Sequence, residues 1–142
     1  MSEYTTQPVR AELVPAIWPS ILPLIEKGVD ASRGDRIAED YFAVCANGHA
    51  QLWLIGREGA VIGILIAEVV TYPRRRVALV DLLAGEDLMG WLPLINTRVE
   101  RWAELMGCSA VQAGGRKGFE RQSRGLGYRE IGRVVEKELR HG

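Results

Sequence analysis

The chain has 142 residues, 47% of them hydrophobic and 25% charged, with 18 basic residues balancing 18 acidic ones. Those fractions exclude collagen-like, low-complexity and globally disordered chains, and the length suits one domain that buries its own core. Zero net charge argues against a dedicated nucleic-acid binder, and the longest apolar run, residues 60–70, is broken by Gly63 and Glu68 before it reaches membrane-spanning length. The start, Met1-Ser2-Glu3-Tyr4, lacks the basic-then-apolar layout of a secretion signal. Cys45 and Cys108 sit in separate apolar segments without metal-type spacing and read as reduced packing residues.

Residues 1–10 read as an N-terminal arm or a first strand, and residues 11–142 as one domain. Within 13–25, Leu13, Ile17, Ile21, Leu24 and Ile25 recur at helical spacing, so a helix is expected, entered at Pro15 and bent at Pro19 or Pro23. Asp35 is placed to cap a second helix with an apolar side of Ile37, Tyr41, Phe42, Val44 and Cys45, ended by Asn47-Gly48. The period then changes. Residues 51–55, 60–71 and 77–83 read as strands joined by the turns at Arg57-Glu58-Gly59 and Pro73-Arg74-Arg75. Gaps that short allow only an antiparallel meander. Near-continuous apolarity in the second and third strands predicts a sheet covered on both faces.

From 86 to 106 the helical period returns, with Leu88, Trp91, Leu92, Ile95, Val99, Trp102, Ala103 and Met106 in one stripe. Glu86 and Asp87 suit its first turn, where the helix dipole favours negative charge. Gly107 ends it. A strand at 109–113 follows, then a glycine-rich basic segment with room for a short helix, and a closing strand over 128–139. The long helix feeding a strand makes a parallel crossover. The fold class is therefore α+β: a mixed sheet, antiparallel meander plus parallel crossover, with helices on both faces.

The chemistry-bearing residues fall into three groups. Glu68 and Asp81 are carboxylates inside apolar runs, where burial raises a carboxyl pKa, so either could serve as a general base. Pairing with an arginine such as Arg74 or Arg76 explains them equally well. Fifteen of the 18 basic residues are arginine, and Arg74, Arg75 and Arg76 with Arg116, Lys117 and Arg121 form local basic excesses. Those six are candidate partner-binding residues, although solvated faces account for most such arginines. The arm, with little apolar area of its own, is expected to take its order from a neighbour. His49 and His141 come with no nucleophile arrangement, and Trp18, Trp53, Trp91 and Trp102 read as core.

Several local signatures resemble the GNAT (GCN5-related N-acetyltransferase) superfamily, and within it the short acetyltransferase-like proteins encoded by tailed bacteriophages. The carriers are Gln51-Leu52-Trp53 after Gly48, Thr71-Tyr72-Pro73, and Met89, Trp91 and Pro93 opening the long helix. They continue with Trp102-Ala103 and Gly107-Cys108, Gly115-Arg116-Lys117-Gly118-Phe119 with Arg121, and Gly127-Tyr128-Arg129 before Glu136-Lys137. The resemblance implies acetyl-CoA as cofactor, with its diphosphate held at the long helix by a Gln/Arg-x-x-Gly-x-Gly/Ala loop. That loop maps onto residues 85–90, making Gly85, Leu88, Met89 and Gly90 the candidate cofactor contacts. Gly90 matches, Leu88 replaces the central glycine, and Glu86 and Asp87 bring carboxylates where phosphates would sit. A second signature, Asn-x-x-Ala-x-x-x-Tyr before Gly-Phe, falls on Arg116, Phe119 and Ser123, none of which matches. Ser123 lacks the acidity of a phenol. Tyr128 reads as packing.

The expectation is accordingly a catalytically degenerate acetyltransferase fold acting as a structural, assembly or binding component of a phage particle, with a protein partner and no membrane or nucleic acid. The alternative is an acetyl-CoA-dependent N-acetyltransferase with an atypical diphosphate loop. Either implies the cytoplasm of a bacterial host, or the virion.

Overall fold

A computed structural model describes residues 3–32, 34–114, 123–132 and 134–140. In chain order the elements are β1 (Tyr4–Val9), α1 (Val14–Asp30), α2 (Ala38–Ala46), β2 (Ala50–Arg57), β3 (Ala60–Thr71), β4 (Arg76–Gly85), α3 (Leu88–Leu105) and β5 (Ala110–Ala113), with one-turn 3-10 helices at Ala11–Leu13 and Arg124–Leu126. One sheet runs β1-β2-β3-β4-β5. Its pairs are antiparallel up to β4, and β4 and β5 are parallel, joined through α3 as the crossover requires.

Alternation along β3 divides the core. Ile64 and Ile66 face Val14, Trp18, Ile21 and Ile25 of α1 and Tyr41 and Cys45 of α2, while Leu65 and Ala67 face Trp91, Ile95 and Val99 of α3. Each fully buried aliphatic side chain contributes roughly 1.5–3 kcal/mol. Trp91, wholly buried, lies so close over β3 that a Cβ on Gly63 would sit 2.6 Å from its ring. No larger residue fits there.

The expected elements recur with informative shifts. α1 stays continuous through Pro19 and Pro23. Pro15, Pro19 and Pro23 all lie on its exposed side, where water can satisfy the carbonyls that lose a helical donor. The N-cap of α2 is Ile37, two residues beyond the expected cap at Asp35, and the Ile37 N–H donates to the Asp40 carboxylate at 2.9 Å. α3 begins at Leu88, so Glu86 and Asp87 precede its first turn rather than occupy it. The arm is a strand. β1 pairs along its whole length with β2, and Tyr4 and Val9 are buried, so from Tyr4 onward this segment is held by its own domain and not by a neighbour. Backbone ladder bonds supply what its polar side chains do not.

At the other end the described residues of the expected strand over 128–139 form no regular element, and Ile131, Val135 and Leu139, which would have faced a core, are exposed.

Two irregularities in the meander position the site. In the β3–β4 ladder Ile66 pairs with Leu82 but Ala67 with Val80, which leaves Asp81 as an extra residue bulged out of β4. Immediately beside it the parallel pairing stops: Val77–Val80 meet Ala110–Ala113, while β4 runs five residues further. Among the described residues the β4–β5 pairing ends at Val80 and Ala113.

Candidate active site

Glu68 follows Ile64 and Ile66 on the α1/α2 face of β3 and is buried, at 7% exposure. The bulge turns Asp81 toward the same face, where it lines a cavity of about 400 Å³ with Gly28 of α1, Arg36, Tyr41 of α2, Val80 and Ala113. That volume lies in the range of small-molecule sites. Both carboxylates marked in the sequence thus meet where the β4–β5 pairing ends.

Arg36, from the loop between α1 and α2, donates from Nη1 to Glu68 Oε2 at 2.8 Å and lies 3.8 Å from Asp81 Oδ2. Its guanidinium stands 5.7 Å from the centre of the Tyr41 ring. His49 Nε2 approaches Glu68 Oε1 at 3.8 Å from the exposed side. Asp81 Oδ2 is buried and has no hydrogen-bond partner among the described residues. Arg36 and His49 replace the expected pairing with Arg74 or Arg76. Those two residues and Arg75 lie in the exposed β3–β4 turn and at the start of β4, away from this cluster.

Among the described residues the Arg36 guanidinium lies within ion-pair distance of both carboxyl groups, and their protonation divides accordingly. Burial, the hydrogen bond to Glu68 and the Glu68 charge push Asp81 up to about 8. Burial also acts to raise Glu68, but the hydrogen bonds from Asp81 and Arg36 outweigh it and hold Glu68 below its ordinary value. Near neutrality the pair is one carboxylate and one carboxylic acid sharing a proton. Cys45, beside it, is driven up to about 12, first by burial and then by the Glu68 and Asp81 charges. It is a packing thiol, not a nucleophile.

The 85–90 segment is built otherwise. Gly85 pairs with Gly63 of β3, Leu88 is buried in the core beneath α3, and Met89 is exposed. The Glu86 N–H donates to the Ile62 carbonyl at 2.9 Å, and Trp91 Nε1 donates to the Glu86 carbonyl at 2.6 Å. Asp87, in the left-handed region at φ +53°, precedes α3 without capping it. Its carboxylate accepts from the Tyr4 hydroxyl and, at 3.2 Å, from Arg57 Nη1. A Cβ on Gly90 would lie 2.7 Å from Asp87 Oδ2. The expected helix-capping role of these acids is therefore corrected: Asp87 is clasped by β1 and β2.

Of the remaining candidates, Arg116, Lys117 and Arg121 lie outside the described residues. Ser123 is buried, and Tyr128 donates its hydroxyl to Asn96 Oδ1 of α3 at 2.7 Å. Among the described residues no group of three or more His, Cys, Asp or Glu is placed to hold a metal ion, and no helix is long and apolar enough to cross a membrane.

No protein-family model matches the chain, and no curated protein matches it in sequence. Solved structures do match over nearly its whole length. The aminoglycoside N-acetyltransferase AAC(6')-Iy in complex with CoA is 14% identical, with 99% of this chain and 97% of that one covered and a TM-score of 0.70. A predicted acetyltransferase with acetyl-CoA from Clostridium acetobutylicum is 10% identical, with 96% of both covered and a TM-score of 0.70. An aminoglycoside acetyltransferase from an uncultured soil metagenomic sample, in complex with sisomicin, is 12% identical, with 99% and 97% covered and a TM-score of 0.68.

The chain has the GNAT fold. Two of those structures hold CoA or acetyl-CoA, and at the start of α3 the residues of this chain do not fit the diphosphate of such a group. Among the described residues the β4–β5 ladder ends at Val80 and Ala113. Five residues of strand, about 17 Å at 3.3 Å per residue, lead from there to the start of α3. At that end the space beside Gly90 holds the Asp87 carboxylate. A diphosphate does not fit there.

Proposed function

We propose that this chain is a GNAT-type N-acyltransferase that acts on a primary amine, with the Glu68–Asp81 pair receiving the amine's proton. The observation that carries the reading is the buried Asp81 oxygen without a hydrogen-bond partner among the described residues, in a cavity where the β4–β5 pairing ends. Burying a carboxyl group incompletely bonded is costly, and such groups concentrate where chemistry needs them. An ammonium group entering beside Tyr41 would supply the missing donor. Glu68, kept ionised by Arg36, draws the ammonium in, and the pair, once its shared proton has left, accepts one proton from the ammonium and leaves a neutral amine with a free electron pair. Arg36 holds the carboxylate in place while Tyr41 walls the cavity. A thioester arm, when bound, supplies the acyl carbon.

The retained alternative is a degenerate, binding-only member of the fold in a phage particle, and the Asp87 clasp favours it. None of the neighbours described above is a particle component, so among the described residues the particle role rests on the exposed Arg74, Arg75 and Arg76. Thiol release on incubating the full chain with acetyl thioester and a panel of small primary amines separates the two. Amine-dependent release supports the transferase. No release from any amine leaves the binding role.

A further inference from the structure

The cavity beside the carboxyl pair carries acids at both of its ends. Asp81 lies at the inner end, next to buried Glu68, and Asp35, exposed in the loop between α1 and α2, lines the rim. Among the described residues Asp35 pairs with no cation, and Asp81 Oδ2 has no hydrogen-bond partner. Between the two ends the wall is apolar, with Gly28 of α1 and Val80, Leu82 and Ala113 of the sheet. Arg36, the residue after Asp35, reaches from that loop to Glu68. The ends are therefore separated by the length of an arginine side chain, which a butyl chain bridges. With the shared proton gone from the pair, Glu68, Asp81 and Asp35 are carboxylates facing the Arg36 guanidinium, and the surplus of negative charge suits a dication. A monocation leaves Asp35 unanswered. We infer that the acceptor is a linear aliphatic diamine, with its reacting amino group at Glu68 and Asp81, its far ammonium at Asp35 and its methylenes along the apolar wall. The inference rests on the proposed transferase function and names the acceptor class of that site. In the reaction the near nitrogen, having given one proton to the pair, forms the amide bond as the thioester C–S bond breaks. Its second displaced proton leaves with the thiol, and the far ammonium is unchanged.

The test is calorimetric titration of the full-length chain at pH 8.5 with putrescine and with pentylamine, in which a methyl group stands where putrescine has its second ammonium. Putrescine should bind about fivefold tighter, the size of a partly exposed ion pair, and the advantage should shrink as salt rises. Asp35→Asn keeps the shape of a side chain in an exposed loop and removes its charge. It should bring the two dissociation constants to within about twofold of each other. Equal binding of the two amines by the parent, an Asp35→Asn variant that keeps the preference, or no binding of either amine would overturn the inference. Failure of the proposed function looks different: putrescine binds through Asp35, yet no thiol is released when an acetyl thioester is added.

Discussion

The same three groups, a carboxylate, an arginine and a tyrosine, meet in two places. At the α1/α2 face they are Glu68, Arg36 and Tyr41, with the guanidinium 2.8 Å from the carboxylate and 5.7 Å from the ring centre. At the start of α3 they are Asp87, Arg57 and Tyr4, with corresponding distances of 3.2 and 5.6 Å. What differs is the fourth member. The first cluster contains Asp81, a second carboxyl group that among the described residues shares the Arg36 cation with Glu68, buried and next to a cavity. In the second the added acid is the exposed Glu3, which hydrogen-bonds Tyr4, and the Asp87 side chain is itself about half exposed at 48%. A wet cluster of this kind is a structural clasp; a dry one with an acid to spare stores proton affinity that a ligand can use.

Substitutions that break the dry cluster should have the largest effects. Glu68→Gln and Asp81→Asn keep shape and remove acidity, and each is expected to lower kcat/KM for amine acylation about a hundredfold or more. An unaltered rate in both variants would take the base role away from the pair.

Next in size is a pH effect on stability. Asp81 holds its proton up to about pH 8 in the folded chain, whereas in the unfolded chain it releases it near the ordinary aspartate value of 3.8. Between those values the folded state binds more protons, so stability should rise as pH falls from about 8 toward 4. Glu68 works the other way, its contribution being lost only on acidification below its ordinary value of 4.5. Thermal melts of the parent should therefore show a higher Tm at pH 5.5 than at pH 8.5, and Asp81→Asn should flatten that slope. A parent Tm that does not change across this range contradicts the assignment.

The smallest effect belongs to the clasp. Its ion pair is partly exposed, so Arg57→Gln should cost no more than about 1 kcal/mol in chemical denaturation. A loss of several kcal/mol would mean that the clasp, and not core packing, holds β1 and α3 in place.

Much of this fold was legible because period and burial coincide. The Trp91, Ile95 and Val99 stripe gave α3, and the three apolar runs gave the meander and its order. Glu68 and Asp81 stood out as acids inside those runs. Their cation did not. Arg36 lies 32 positions before Glu68 in a loop without periodicity, and only tertiary packing joins them. The Asp81 bulge was equally hidden, since an extra residue in a ladder leaves no mark on an apolar stretch. Clasping of Asp87 by Tyr4 and Arg57 spans 83 and 30 positions and depends on β1 being a strand. In the other direction, the alternation in 128–139 promised a strand that the described residues there do not form.

The central claim is that the Glu68–Asp81 pair receives the acceptor's proton. It is tested most directly by the pH dependence of kcat/KM for acyl transfer to a small primary amine, measured side by side for the parent and Asp81→Asn. The parent rate should rise with pH and inflect near 8, as the shared proton leaves the pair. In Asp81→Asn that inflection should vanish while the chain stays folded. Identical profiles in the two proteins, or no transfer to any amine from an acetyl thioester, would contradict the account.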